Sequence, residues 1–140
     1  MSSPPHPLLA DAHDLSGLLF RVADQARTDF AAVVSELSLT PAQARALLFL
    51  EEPVSMKQLA AHLSCDASNV TGIADRLGAR DLAARVVGGD RRVTMLALTE
   101  EGAIVRRRLV DLVAAGSTVT AKLSERERAT LRPLLLKLLG

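Results

Sequence analysis

Between Ser55 and Leu77 the sequence sets two short amphipathic segments end to end across a two-residue joint. From Leu82 onward the helical period gives way to alternation. Ser55 with Gln58 has the spacing of a capping box, in which each side chain satisfies the other residue's free amide. It opens a helix with Leu59, Ala60 and Leu63 on its apolar face. Ser64 and Cys65 make a brief turn, and Asp66 caps a second helix whose inward residues are Val70, Ile73, Ala74 and Leu77. Two short helices joined this way are the outline of a helix-turn-helix. The outer side of the second carries Ala67, Ser68, Asn69, Thr71, Gly72, Asp75 and Arg76. These groups are small or hydrogen-bonding and leave little to obstruct close approach to a groove. Ala83 to Val87 then reads as a strand, Gly88-Gly89-Asp90 as a turn and Arg92 to Leu98 as the returning strand, with Arg91 and Arg92 near the hairpin tip.

Helices flank this centre. Leu15, Leu18, Leu19, Val22, Ala26, Phe30, Val33 and Leu37 recur at helical spacing and predict a first helix from Asp14 to Glu36. Thr40, Pro41 and Gln43 form a capping box with proline at the first helical position, starting a helix that buries Ala44, Leu47, Leu48 and Leu50 and stops before Pro53. Thr99 caps a helix with two acids, Glu100 and Glu101, at its positive end, and Val105, Leu109, Leu112, Val113 and Val119 form its stripe. Ser124 and Glu127 form a further capping box for a last helix bearing Leu131, Leu134, Leu135 and Leu138. Pro133 inside it should kink it or disrupt a turn. The fold class is thus mainly α with a small β-wing. Its expected organisation is an N-terminal arm over residues 1–13, a central lobe over 39–99 and flanking helices over 14–38 and 100–140.

Charge is distributed unevenly. Residues 1–54 hold three Arg or Lys against seven Asp or Glu, residues 55–99 six against four, and residues 100–140 eight against five. The net charge of +1 therefore conceals a mildly basic centre, and local charge is what steers a protein toward DNA. With 49% apolar and 24% charged residues the chain reads as globular. No apolar run approaches the roughly 18 residues of a membrane span, and the first residues lack a basic-then-apolar leader pattern. A single cysteine, Cys65, excludes an internal disulfide framework and fits a reducing cytoplasm. His6, His13 and His62 lack the spacing of a metal site, so neither metal nor cofactor is expected.

The order helix, helix, helix-turn-helix, hairpin, two helices resembles the MarR family of bacterial winged helix-turn-helix regulators. The resemblance rests on Leu39-Thr40-Pro41-Ala42-Gln43, on Gln58-Leu59-Ala60 with Leu63, and on Asp66-Ala67-Ser68-Asn69-Val70-Thr71 with Asp75-Arg76-Leu77. It continues in Asp90-Arg91-Arg92 and in Leu98-Thr99-Glu100-Glu101-Gly102, and spans Leu15 to Leu139. It implies a homodimer whose first and last helices interlock, with recognition helices in successive major grooves of a pseudo-palindromic double-stranded operator and wings in the flanking minor grooves. It also implies repression or activation tuned by a small ligand or by oxidation. The chain departs from the family pattern at Ala67 and Gly72, where a basic residue is frequent, and at Gly88-Gly89, where acids and proline are frequent. The first two departures lower the expected phosphate affinity.

Within that frame Ser68, Asn69 and Thr71 are the candidates for base contacts, since asparagine can pair two-pronged with adenine. Taken alone they are equally what an exposed first turn requires. Gly72 permits close approach, and Arg76 serves either a phosphate or a neighbouring acid. Arg91 and Arg92 suit the negative potential of a narrow minor groove, although alternation points only one of two neighbours at DNA. Asp90 is read as a brace on the wing. Ser55 and Lys57 are candidate phosphate contacts, with capping a sufficient reason for Ser55. The run Arg106-Arg107-Arg108 reads as a solvated face, with pairing between subunits as the alternative. Leu15, Leu18, Leu19, Val22, Leu131, Leu134, Leu135 and Leu138 are the candidate dimer contacts, offering more apolar surface than one small domain can bury. A small apolar effector is expected where the first, second and fifth helices meet the lobe.

Three rival readings remain. A winged helix that binds protein needs no arginine at its wing tip. A cysteine-based redox regulator of this kind carries its cysteine in the first helix, where this chain has none. An enzyme needs convergent polar groups that the sequence does not offer.

Overall fold

A computed structural model describes residues 7–90, 92–116 and 118–140. The elements run α1 (Pro7–Ser35), α2 (Pro41–Phe49), β1 (Val54–Ser55), α3 (Met56–Leu63), α4 (Ala67–Ala79), β2 (Ala83–Val87), β3 (Thr94–Leu98), α5 (Glu100–Gly116), α6 (Thr118–Ala121) and α7 (Glu125–Leu139). They divide into two units: one is Ala31–Ala115, and the other joins the chain up to Phe30 with Gly116–Gly140. No helix among the described residues is long and apolar enough to cross a membrane.

The central unit is built from local signals. Thr40 and Gln43 cap α2 reciprocally, as Ser55 and Gln58 cap α3. Ser64 ends α3 in the left-handed region at φ 52°, and its neighbour Cys65 returns an amide bond to the Ala60 carbonyl. Asp66 then caps α4. Val70, Ile73, Ala74 and Leu77 are all buried, as their spacing predicts, and meet a core containing Val34, Leu47, Leu50, Leu59, Leu96 and Leu109. Each such leucine contributes about 1.5–3 kcal/mol on burial. Leu48 and Ala60, expected inside, are only half-buried at the edges of their helices.

The wing is part of a three-stranded antiparallel sheet in the order β1-β3-β2 rather than a free hairpin. Val54 pairs with Leu96 and Ser55 with Met95, tying the residue that caps α3 to the returning strand. β3 begins at Thr94, two residues later than expected, because the turn is longer: the Gly88 amide bonds the Val93 carbonyl and the Val93 amide bonds the Asp90 carbonyl.

Other boundaries differ from expectation. α1 begins at Pro7, so Pro7–His13 is helix rather than arm; proline fits a first helical position and Leu8 to Ala12 contains no breaker. Residues 1–6 of the expected arm lie outside the described residues. α5 ends at Gly116, placing Val119 in the short α6 instead of on the α5 stripe. α7 runs through Pro133, which removes the helical donor to the Ala129 carbonyl without ending the helix. Arg106 is no solvated residue: its Nε and Nη2 donate to the Leu47 and Leu48 carbonyls at 3.1 and 3.0 Å, satisfying the open C-terminal end of α2. Arg107 and Arg108 are exposed.

In the other unit Leu15, Leu18, Leu19 and Val22 of α1 and Leu134, Leu135 and Leu138 of α7 are exposed, and Leu131 is half-buried. Phe20 is 71% exposed in the single chain.

Candidate nucleic-acid interface

The outward side of α4 is organised by its cap. Asp66 Oδ1 accepts the Asn69 amide at 2.9 Å and the Ser68 hydroxyl at 2.8 Å. These two donors, the Asn69 amide first, hold the Asp66 carboxyl below the ordinary aspartate value. Thr71 donates its hydroxyl to the Ala67 carbonyl at 2.9 Å. Ser68 and Thr71 have therefore committed their protons within the helix and present lone pairs outward. The Asn69 carboxamide has no hydrogen-bond partner among the described residues, so its donors and its acceptor are all free for a two-pronged contact.

These candidates do not share one face. Asn69 and Arg76 are seven residues apart and lie on the same flank of α4, which turns toward α2. There they line a hollow of about 270 Å³ with Ala42, Arg45, Leu63, Cys65 and Ile73. Arg45 donates to the His62 carbonyl at 3.3 Å and brings a second guanidinium beside Arg76. Sequence reasoning missed Arg45, although its place one residue beyond buried Ala44 turns it outward. Cys65 is half-buried at this hollow. Gly72 lies on the outward side, where an added side chain would meet nothing within 4 Å.

On the other flank α4 packs against β2, and Asp75 Oδ1 accepts a bond from Arg85 Nη2 at 2.8 Å. Arg85 is the second residue that sequence reasoning passed over. At the wing tip the Asp90 carboxylate accepts the Arg92 amide at 3.1 Å, so its brace acts on the main chain, and the Arg92 side chain is exposed. Arg91 lies outside the described residues. Ser55 is occupied by its capping box and its strand pairing, with Lys57 exposed beside it.

A second hollow of about 510 Å³ is lined by Phe49, Glu51, Glu52, Pro53, Val54 and Gln58. Neither hollow includes a residue of α1 or α5, where an effector pocket is expected; the smaller one carries the apolar Ala42, Leu63, Cys65 and Ile73 beside its polar groups. Phe49 stacks on the His62 ring at 3.9 Å. No group of three or more His, Cys, Asp or Glu among the described residues is placed to hold a metal ion.

No family model matches the chain, and no curated protein matches it. Solved structures do. A mutant MarR from E. coli complexed with operator DNA is 26% identical, with a TM-score of 0.78 over 96% of this chain and 100% of that one. The transcriptional repressor CouR, bound to a 23-mer DNA duplex, is 28% identical with a TM-score of 0.77, covering 99% of this chain and 100% of that one. A Mycobacterium tuberculosis MarR family protein in complex with p-aminosalicylic acid is 27% identical with a TM-score of 0.70, covering 90% and 98%. The likeness covers nearly the whole chain, flanking helices as well as the helix-turn-helix and its sheet, and the chain is similar throughout to winged helix-turn-helix regulators of the MarR family.

Proposed function

We propose that this protein is a sequence-specific, double-stranded DNA-binding transcription repressor that acts as a homodimer in the cytoplasm and has no catalytic role. The observation that carries this reading is the flank of α4. An uncommitted Asn69 carboxamide stands there beside Arg45 and Arg76, on the second helix of a helix-turn-helix whose unit also carries the wing. Such a helix brings its first residues to base edges while guanidiniums hold phosphates. Two similar proteins of the same fold are seen on DNA duplexes.

In this reading Asn69, with Ser68 and Thr71, reads bases across the close approach that Gly72 allows. Arg45, Lys57, Arg76 and the wing arginines Arg91 and Arg92 hold the backbone, Asp90 sets the wing turn, and Ser55 stays a cap. The helices over 14–38 and 100–140 form the dimer through Leu15, Leu18, Leu19, Val22, Leu131, Leu134, Leu135 and Leu138. The two recognition helices then meet half-sites about 34–36 Å apart on a pseudo-palindromic operator. A small, mostly apolar effector tunes the dimer by favouring one spacing of those helices.

The test is selection of bound duplexes from a random pool, followed by titration of the enriched sequence and a scrambled control. An inverted-repeat motif bound at least a thousandfold more tightly than the control supports the reading, in the range common for specific regulators, ~10³–10⁷. Equal affinity for the two duplexes overturns it.

A further inference from the structure

Asp75 is the single acid on α4, two turns beyond the cap and on the side turned away from the core. Left bare, it would oppose DNA phosphates with a like charge. It is not bare. Arg85 of β2 reaches it at 2.8 Å, with 44% of the arginine side chain and 60% of the aspartate side chain still exposed. The contact follows from the sheet. Arg85 shares a face of β2 with buried Ala83, and β2 packs on α4, so alternation sends the guanidinium toward the recognition helix instead of toward the open side of the wing.

Resting on the DNA-binding reading above, we propose that Asp75 and Arg85 form a charge gate. Arg85 cancels the acid of the recognition helix, and Asp75 in turn withholds Arg85 from the phosphate backbone. The pair adds no net charge to the interface, so the wing strand stays close to DNA without adding a sequence-independent contact. The consequence is selectivity: affinity for arbitrary DNA is lowered by one phosphate contact, while the base contacts of Asn69 are untouched.

A purely structural clasp and a charge gate predict different patterns in a mutant cycle. If the pair only fixed the angle between helix and wing, Asp75→Asn and Arg85→Gln would each weaken binding, and the double variant would be no better. If it gates charge, the singles move in opposite directions. Asp75→Asn releases Arg85 and should raise affinity for a scrambled duplex about threefold, with the salt slope steeper by about 0.9. Arg85→Gln exposes Asp75 and should weaken binding to selected and scrambled duplexes alike, with a shallower slope. The double variant restores a neutral pair and should return the scrambled-duplex affinity and slope to wild-type values. Both substitutions remove a charge at exposed positions, and thermal melts of the three variants serve as the control for folding.

The wild type is titrated first. If it does not distinguish the selected duplex from the scrambled one, the DNA-binding reading itself is overturned. If it does, but the two singles shift scrambled-duplex affinity in the same direction or the double variant fails to recover, the gate is overturned and the DNA-binding reading stands.

Discussion

The β-carbon that Gly102 lacks would overlap the carbonyl oxygen of Leu82. That oxygen accepts the Thr99 amide at 3.1 Å, while the Thr99 hydroxyl donates to the Asp81 carbonyl at 2.5 Å and accepts the Gly102 amide at 2.9 Å. The first turn of α5 is therefore seated directly on the backbone of the turn that follows α4. Any side chain at residue 102 must push main chain apart, which is costlier than moving a flexible side chain. Gly102→Ala should destabilise the protein by about 1–3 kcal/mol, at the upper end of that range. A urea titration reads this as a lower midpoint at unchanged slope. An unchanged midpoint would mean that this close approach does not persist in solution.

The cap of α4 predicts an acid sensitivity. The Asn69 amide and then the Ser68 hydroxyl lower the Asp66 carboxyl, so the unfolded chain takes up this proton first as pH falls. The stabilisation from Asp66 is thus fully present above the ordinary aspartate value of about 3.9. It is lost as pH drops through the lowered folded value. An asparagine in its place would cap nearly as well but does not titrate. Urea midpoints of wild type and Asp66→Asn should therefore differ at pH 7 and draw together below the folded value, and an NMR titration of the Asp66 carboxyl should show its midpoint below the usual range. A difference that is constant across this interval sinks the argument.

What the sequence discloses here is chiefly what is local. The capping pairs Thr40–Gln43, Ser55–Gln58 and Ser124–Glu127 can be read because three-residue spacing contains the whole interaction. The inward set of α4 can be read because its period is regular. β1 cannot, since a two-residue strand has no period and its partners Leu96 and Met95 lie some forty positions away. Arg106 is hidden for the same reason: nothing near it indicates that its guanidinium ends α2, 59 residues earlier in the chain. At the candidate interface, residue types were visible but their commitments were not. Ser68 and Thr71 look equivalent to Asn69 until their hydroxyls are seen to be engaged within the helix.

Self-association should be strong. A chain this small leaves Leu15, Leu18, Phe20 and Val22 on α1 and Leu134, Leu136 and Leu138 on α7 in water, well beyond the scattered apolar residues of an ordinary surface. Leu134 and Leu138 lie one turn apart on the same side of α7. Replacing both by Asp removes four leucines from a symmetric interface, at about 1.5–3 kcal/mol each. The dissociation constant should rise by at least about a hundredfold. Sedimentation at micromolar concentration should show the wild type as a dimer and the variant as monomer or aggregate. A soluble wild-type monomer at that concentration would remove the basis for a two-fold operator.

The two DNA-facing elements should differ in what they read. Asn69 has free donors and a free acceptor on the flank of α4, whereas Arg92 stands exposed at a turn whose amide is held by Asp90. A carboxamide matched to a base edge distinguishes sequences, while a guanidinium near phosphates adds affinity to all of them. Asn69→Ala should cost about 1–3 kcal/mol on the selected duplex and little on scrambled DNA. Arg92→Ala should weaken both and reduce the salt slope by about one unit. Part of the arginine's effect will depend on sequence if the wing senses groove width, so A·T-rich flanks should favour wild type over the variant. Ser68→Ala and Thr71→Val should be milder than Asn69→Ala on the selected duplex, because each hydroxyl donates within the helix and offers DNA only an acceptor. Salt titrations of selected and scrambled duplexes against these variants decide the matter. Equal weakening of both duplexes by Asn69→Ala, or scrambled-DNA binding untouched by Arg92→Ala, would reverse the assignment of roles.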